Sequence, residues 1–505
     1  MSQLPSRLSY EDAAFINFDR YEFPYNVGSV GIYEGSIPFE EYRAHCDLRL
    51  DAVPRYRQRL LRVPFELAHP AWHDDPEFDI ERHISRVILR PPGDEAQLRH
   101  LAGDFFATPL DRSKPLWEIR LVHGLSGNRT AHLAKMHHCL VDGVAGAQLL
   151  AALLDTEPLP AEGPRSELRP APASIPGPAA RLLDAAFDRV QQQIDVAEGL
   201  TLALLDPASA IRSVRSVVRS LQGAAPHMFR IGRTPWATRL TAPSRLAWQM
   251  LPFDAVHHVK EALHGTINDV ALTVLSGALG RYLASHDLEP TDVSVRALIP
   301  VNVRSEGEGE SLGNRVSFML AGLPVGIADP IARFLAIQSE VGHLKEIDQA
   351  GNLDRLSRVI GLTPPALQRF LATRLAMPNF IYDLVCTNVP GPRQPLYCMG
   401  HHMIEHHPWV PIGWRAGLGV AVMSYDQGLY FSLTADQSAL EDLDRLAGYI
   451  GEAFDELEEA VVGAGEAPQP LPAMFAVGRE RGSAGGRIAY AAGPGPAVSA
   501  PGTTG

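Results

Sequence analysis

The sequence predicts an α/β chain of two domains, on three observations. Its 505 residues exceed the roughly 250–300 at which one hydrophobic core stops growing. Residues 116–138 alternate apolar and polar positions on either side of SGNRT, the pattern of two strands joined by a turn. Near the end, Leu443, Leu446, Ala447, Ile450, Phe454, Leu457 and Val461 recur at helical spacing, as one apolar face of an acidic helix.

The elements follow in order. Residues 1–157 read as a first domain of mixed strands and helices. From Pro158 to Pro178 the chain is rich in Pro, Ala and Gly and opens a linker and helical connector over 158–229. Its amphipathic pieces are Leu182–Val196 and Ile211–Leu221. A second mixed domain occupies 230–463. Within it Asn268 stands where a helix N-cap is expected, ahead of an apolar run over 270–283. The stretch VRALIPVNVR reads as a strand with Val301 and Val303 toward the core, ending at Arg304. Residues 464–505 turn rich in Gly, Pro and Ala and are expected to be disordered.

Composition excludes several classes of function. A formal net charge of −13 argues against a nucleic-acid partner, and an anionic substrate would need a local basic patch. Cys46, Cys139, Cys386 and Cys398 are scattered without CxxC spacing, which fits a reducing compartment rather than a disulfide framework or a zinc finger. The N-terminal residues lack the basic-then-apolar pattern of a signal peptide, and no apolar run reaches the roughly 18 residues of a membrane span. The expected location is the cytoplasm. GxxxxGK[ST] is absent, which removes the P-loop reading.

The chemistry centres on His137-His138-Cys139-Leu140-Val141-Asp142-Gly143. Of the four His-His doublets, at 137–138, 257–258, 401–402 and 406–407, only the first is followed by three residues and Asp-Gly. Average residue usage produces HHxxxDG by chance in roughly one chain in a thousand. The doublet ends a predicted strand, Asp142-Gly143 makes a tight turn, and GVAGAQLLAALLD reads as a buried helix. Alternation would send the two imidazoles, and then Cys139, to opposite faces in turn.

With these residues in place, the chain resembles the bacterial wax ester synthase/acyl-CoA:diacylglycerol acyltransferase family, within the chloramphenicol acetyltransferase-like fold. The resemblance spans most of residues 5–462. It is carried by LSYEDAAF, PAWHDDPEFDIERHI at 70–84, LDRSKPLWE at 110–118, HHCLVDG, GTINDVALTVLSGAL at 265–279, IPVNVR, SLGNRVSFM, TNVPGP at 387–392 and LGVAVMSYDQGLYF. It implies two similar domains, each a mixed sheet with helices, and an active-site channel between them. It implies an O-acyltransferase with acyl-CoA as co-substrate, no metal or redox cofactor, and diacylglycerol or a long-chain alcohol as acceptor. His138 would be the general base beside His137, with Asn268 the candidate donor to the oxyanion and Asp269, Pro115, Leu116 and Trp117 as substrate-binding or oxyanion-site residues. Asp142 would turn away from the base and pair with an arginine, Arg304 being the candidate, and Gly143 would shape the loop. On residue type alone Trp117 reads more often as core than as a pocket wall, and Pro390-Gly391-Pro392 as a structural turn.

Other readings are kept open. The acceptor could be a hydroxyl of a specialised metabolite, or the chain could act as a condensation-domain-like enzyme, since that class shares HHxxxDG. The run GHHMIEHHPW at 400–409 offers His401, His402, Glu405, His406 and His407 as metal ligands, and a vestigial site would leave a lipid-binding protein. In Ile211–Leu221, Ile211, Val214, Val218 and Leu221 form an apolar stripe with Arg212, Arg215 and Arg219 beside it. A helix of that kind suits the surface of a membrane or lipid droplet.

Overall fold

The computed structural model describes residues 7–19, 24–140, 152–158, 175–188, 190, 234–237, 240, 244–302, 316–348, 351, 363, 365–374, 382–413, 416–440 and 442–464. Expectations for Asp142, Gly143, most of the helix after them, most of the linker, Ile211–Leu221, Val303, Arg304 and the C-terminal tail lie outside these residues.

The first part of the chain runs α1 (Tyr10–Phe18), β1 (Asn26–Glu34), α2 (Phe39–Arg49), β2 (Gln58–Leu61), β3 (Ala71–Asp74), β4 (Ile84–Ile88), α3 (Glu95–Ala107), β5 (Trp117–Leu125) and β6 (Arg129–His137). The second runs β7 (Ser244–Pro252), α4 (Phe253–Ala262), α5 (Ile267–Ala284), β8 (Val295–Asn302), β9 (Val316–Leu323), α6 (Pro330–Glu346), α7 (Pro365–Arg374), β10 (Leu384–Val389), β11 (Tyr397–Cys398), β12 (His401–Trp409), β13 (Leu418–Tyr425), β14 (Gly428–Asp436) and α8 (Leu443–Ala464). The α/β expectation holds.

Two six-stranded sheets result, ordered β11-β12-β1-β6-β5-β4 and β7-β14-β13-β10-β8-β9. The β5–β6 hairpin is the one expected from alternation, and its turn carries Gly127 at φ 76 and Asn128 at φ 53, conformations that glycine and asparagine tolerate. In the second sheet β10 runs parallel to both β8 and β13. The helices α4, α5, α6 and α8 bury one of its faces, with Leu446, Ile450 and Leu457 of the predicted stripe fully inside. Val295, Ala297 and Ile299 of β8 enter the same core, and Val301 packs at its edge.

The sheets do not follow the division of the sequence at residue 230. β11 and β12 come from the second half yet join the first sheet, β12 pairing antiparallel with β1 from Gly28↔Trp409 to Tyr33↔Met403. Alternation along β12 therefore separates the His-rich run. His407 stacks on Trp248 of β7 at 4.1 Å and bonds Glu405 at 2.8 Å. His406 packs edge-on against Tyr425, and burial pushes its pKa down to about 3. These are inter-sheet packing contacts. A second seam is α3 against β7, where a Cβ on Gly103 would stand 2.3 Å from the Ser244 carbonyl, so only glycine allows that approach.

A buried ion pair ties β8 to the start of β10. Arg296 donates through Nε to Asp383 Oδ2 at 2.9 Å and through Nη2 to Oδ1 at 3.2 Å, with side chains 2% and 3% exposed. The Arg296 backbone N–H donates to the same carboxylate at 2.9 Å.

Candidate active site

The histidine doublet is positioned by backbone bonds to two segments. His137 N–H donates to the Leu116 carbonyl at 2.9 Å, which sets the end of β6 against the start of β5. His138 N–H donates to the Tyr25 carbonyl at 2.8 Å, just before β1. The strand stops at His137, and His138–Leu140 form a 3-10 turn. This corrects the expectation that extended alternation continues through Cys139. The 3-10 turn, not strand geometry, buries the Cys139 thiol.

The turn also fixes the state of His137. Its Nδ1 accepts the Cys139 backbone N–H at 3.1 Å, so the neutral ring carries its proton on Nε2. Nε2 lies 3.5 Å from Asp19 Oδ2. Asp19 in turn accepts from Arg112 at 2.7 Å and from the Tyr25 N–H at 2.9 Å. Burial alone would raise the Asp19 pKa, but the bonds from His137, Arg112 and Tyr25 hold it below the ordinary carboxylate value. Asp19 is a site residue that reading the motifs did not single out. Its only local signal is an acid closing the helix that begins at LSYEDAAF.

His138 is partly exposed, and its ring stacks on Phe15 of α1 with centroids 3.8 Å apart and planes 17° apart. Its pKa is pushed down to about 4, first by burial and then by the neighbouring His137. The imidazole is therefore neutral at pH 7 and can accept a proton. Lys135, three residues earlier, is buried and donates to the Phe105 and Thr108 carbonyls, both at 2.9 Å, where α3 ends. It pins the strand under the doublet, and burial lowers its pKa to about 8.

The remaining expected residues divide between roles. Trp117 is core: its Nε1 donates to the Tyr56 carbonyl at 2.7 Å and its ring stacks on His83 at 4.4 Å. Pro115 is buried beside it, while Leu116 lines a cavity of about 130 Å3 with Ile16, Leu60, Arg62, Pro70 and Arg112. Asn268 is not the N-cap of α5. Thr266 is, in a capping box with Asp269, whose Oδ2 accepts Thr266 N at 2.9 Å and Oγ1 at 2.7 Å. Asp269 is thereby committed to the helix end. Asn268 accepts from Asn388 Nδ2 at 3.4 Å, which links the motif at 265–279 to TNVPGP. Gly391, in the turn after Asn388, donates to Ser424 Oγ at 3.1 Å, a structural contact.

Cys139 is no rival nucleophile. Burial raises its pKa well above that of an ordinary thiol, so the reactive thiolate is scarce at pH 7. Cys139→Ala is expected to keep most activity, to within about threefold, since removing an unused side chain costs no transition-state contact. A folded Cys139→Ala variant with no turnover would contradict this.

The histidine doublet thus ends a hairpin in a fold of two bridged six-stranded sheets. The wax ester synthase/diacylglycerol acyltransferase catalytic domain matches residues 8–271, and the WS/DGAT C-terminal domain matches 312–458. The probable diacylglycerol O-acyltransferase Tgs1 of Mycobacterium tuberculosis is 32% identical over 437 residues, covering 85% of this chain and 90% of that protein. Tgs2 of the same species, also a probable diacylglycerol O-acyltransferase, is 29% identical over 469 residues, covering 89% and 98%. Among solved structures, the wax ester synthase/diacylglycerol acyltransferase from Marinobacter aquaeolei VT8 aligns with TM-score 0.63 and 23% identity over 91% of this chain and all of that one. The first condensation domain of the CDA synthetase shares the fold at TM-score 0.57 and 14% identity, covering 91% and 97%. The chain belongs to the wax ester synthase/diacylglycerol acyltransferase family. It is an O-acyltransferase.

Proposed function

We propose that the chain moves a fatty acyl group from a coenzyme A thioester directly to a hydroxyl, with His138 as general base. The acceptor is diacylglycerol, giving triacylglycerol, or a long-chain alcohol, giving a wax ester. The observation that carries this reading is His138 itself. It is neutral, partly exposed, stacked on Phe15 and fixed by its backbone at a strand end.

An alcohol is a weak nucleophile at pH 7. His138 takes its proton as the oxygen attacks the thioester carbonyl, and the charge the ring gains is matched by the charge forming on the carbonyl oxygen. Asn268 suits that oxyanion. Its Oδ1 is engaged by Asn388, while its Nδ2 hydrogens have no acceptor among the described residues. Collapse breaks the carbon–sulfur bond, and the leaving thiolate takes the proton from His138. The step balances without a metal or redox group. His137 and Asp19 position the turn that bears the base. Purified protein with palmitoyl-CoA and a panel of hydroxyl acceptors tests this, reading thiol release and product mass. An ester of diacylglycerol or a long-chain alcohol is the expected product. Turnover confined to an amine acceptor would overturn the reading.

Substrates this apolar reside in lipid, and peripheral binding to a membrane or lipid droplet belongs to the same proposal. No helix among the described residues is long and apolar enough to cross a bilayer. Phe65, Leu183 and Phe187 are 83%, 74% and 69% exposed. They share one region, because Leu182 and Ala185 pack on Val63 and Ala68. The arginines of Ile211–Leu221 would add attraction to anionic headgroups. Changing Arg212, Arg215 and Arg219 together to Glu is expected to abolish sedimentation with anionic liposomes and to spare turnover of a short soluble alcohol. Unaltered liposome binding would count against the interfacial helix.

A further inference from the structure

We propose that Arg62, Arg112 and Arg369 form a phosphate-binding mouth beside the acyl-transfer site, which takes the phosphates of the coenzyme A half of the donor. The inference rests on the acyl-transfer reading above and extends it to the polar end of the substrate.

The geometry begins at α1. Phe15 stacks on His138, and the next residue, Ile16, lines the cavity of about 130 Å3 whose wall also holds Arg62, Arg112 and Leu116. A water needs about 10–15 Å3 of such space, so the cavity admits a polar group larger than one water. Leu116 is the residue whose carbonyl holds His137. An adjoining cleft shares Ile16, Arg62 and Pro70 and adds Arg369 from α7. The cavity wall thus shares Leu116 with the supports of the histidine doublet and reaches them a second time through Arg112, which pairs with the Asp19 beside His137.

Among the described residues the charges in this mouth do not balance. Arg112 is paired with Asp19 at 2.7 Å, and Arg369 is paired with Glu66. Arg62 has no acidic partner among the described residues. Its guanidinium is partly desolvated and faces two like charges. Burial first, and then Arg112 and Arg369, lower its pKa. In a chain of net charge −13, placing an uncompensated third arginine here costs repulsion that a bound anion relieves. Guanidinium groups present planar forks of donors that match phosphate oxygens. The donor carries three phosphoryl groups at the end remote from its thioester, so it brings that anion with it.

Arg62 is exposed and serves no core contact, so Arg62→Ala tests the mouth without unfolding it. Initial rates are compared for palmitoyl-CoA and for palmitoyl-pantetheine, which lacks all phosphates. Loss of one charged contact is expected to raise KM for palmitoyl-CoA about 10–100-fold, with kcat held within about twofold. KM for the pantetheine thioester should not move. An unchanged KM for palmitoyl-CoA, or an equal rise for both donors, would overturn the proposal. A lipid headgroup offers the same phosphate chemistry, so sedimentation with phosphatidylglycerol vesicles is run on both proteins. If Arg62→Ala loses vesicles but keeps its KM for palmitoyl-CoA, the coenzyme A assignment is wrong. If the unmodified protein transfers from neither thioester, the acyl-transfer reading fails separately. Calorimetric titration with coenzyme A and pantetheine, which lacks all three phosphates, still decides the mouth: tighter binding of coenzyme A that Arg62→Ala abolishes supports it, and equal binding overturns it.

Discussion

His138→Ala should lower kcat about 10²–10⁴-fold, the range in which a positioned general base contributes. The fold should survive, because the bonds that set the turn use the backbone of residue 138 and the side chain of residue 137. The same assignment fixes the acid limb of the pH–rate profile. The base works as neutral imidazole, and its pKa in the folded protein is pushed down to about 4. The base is therefore present above that value and lost as pH falls through it. kcat/KM of the unmodified enzyme should hold below the roughly 6.5 of an unperturbed histidine and fall near 4. A His138→Ala variant with turnover within about threefold of the original would remove the residue from the mechanism.

The largest stability effect is expected at Asp383. Removing its carboxylate leaves Arg296 buried, charged and without the three bonds it makes to that carboxylate. Breaking one partner of such a pair costs about 3–5 kcal/mol. For a domain of this size that lowers Tm by roughly 6–20 °C, and thermal denaturation of Asp383→Ala measures it. Changing both residues to apolar ones of similar volume should recover a large part of the loss, because the penalty lies in burying the guanidinium without this carboxylate more than in the lost attraction. A fall of only about 1 °C in Asp383→Ala would mean that water reaches Arg296.

The hairpin, the doublet at its end and the C-terminal helix were legible because each is a local pattern. Alternation placed β5 and β6, and helical spacing placed the stripe of α8. Pairing between distant segments was not legible. β12 reads as a polar, His-rich run because both its faces are covered, by α3 and β7 on one side and by Tyr425 on the other. Burial of that kind leaves no apolar and polar alternation to detect. The cap of α5 could have been read. Thr266 and Asp269 stand three apart ahead of an apolar run, which is the capping-box spacing, whereas Asn268 drew notice as a good cap by residue type alone. Asp19 carries no motif, and its place in the candidate site comes from what the fold sets beside it, His137 and Arg112.

Direct transfer with His138 as base is tested most directly by a single-turnover experiment, with enzyme in excess over radiolabelled palmitoyl-CoA, quenched with and without 1-hexadecanol. The account predicts that label leaves the thioester in step with ester formation, only when the alcohol is present, and that denatured protein carries none. Label bound to the protein before the alcohol is added, on Cys139 or any other side chain, would contradict it.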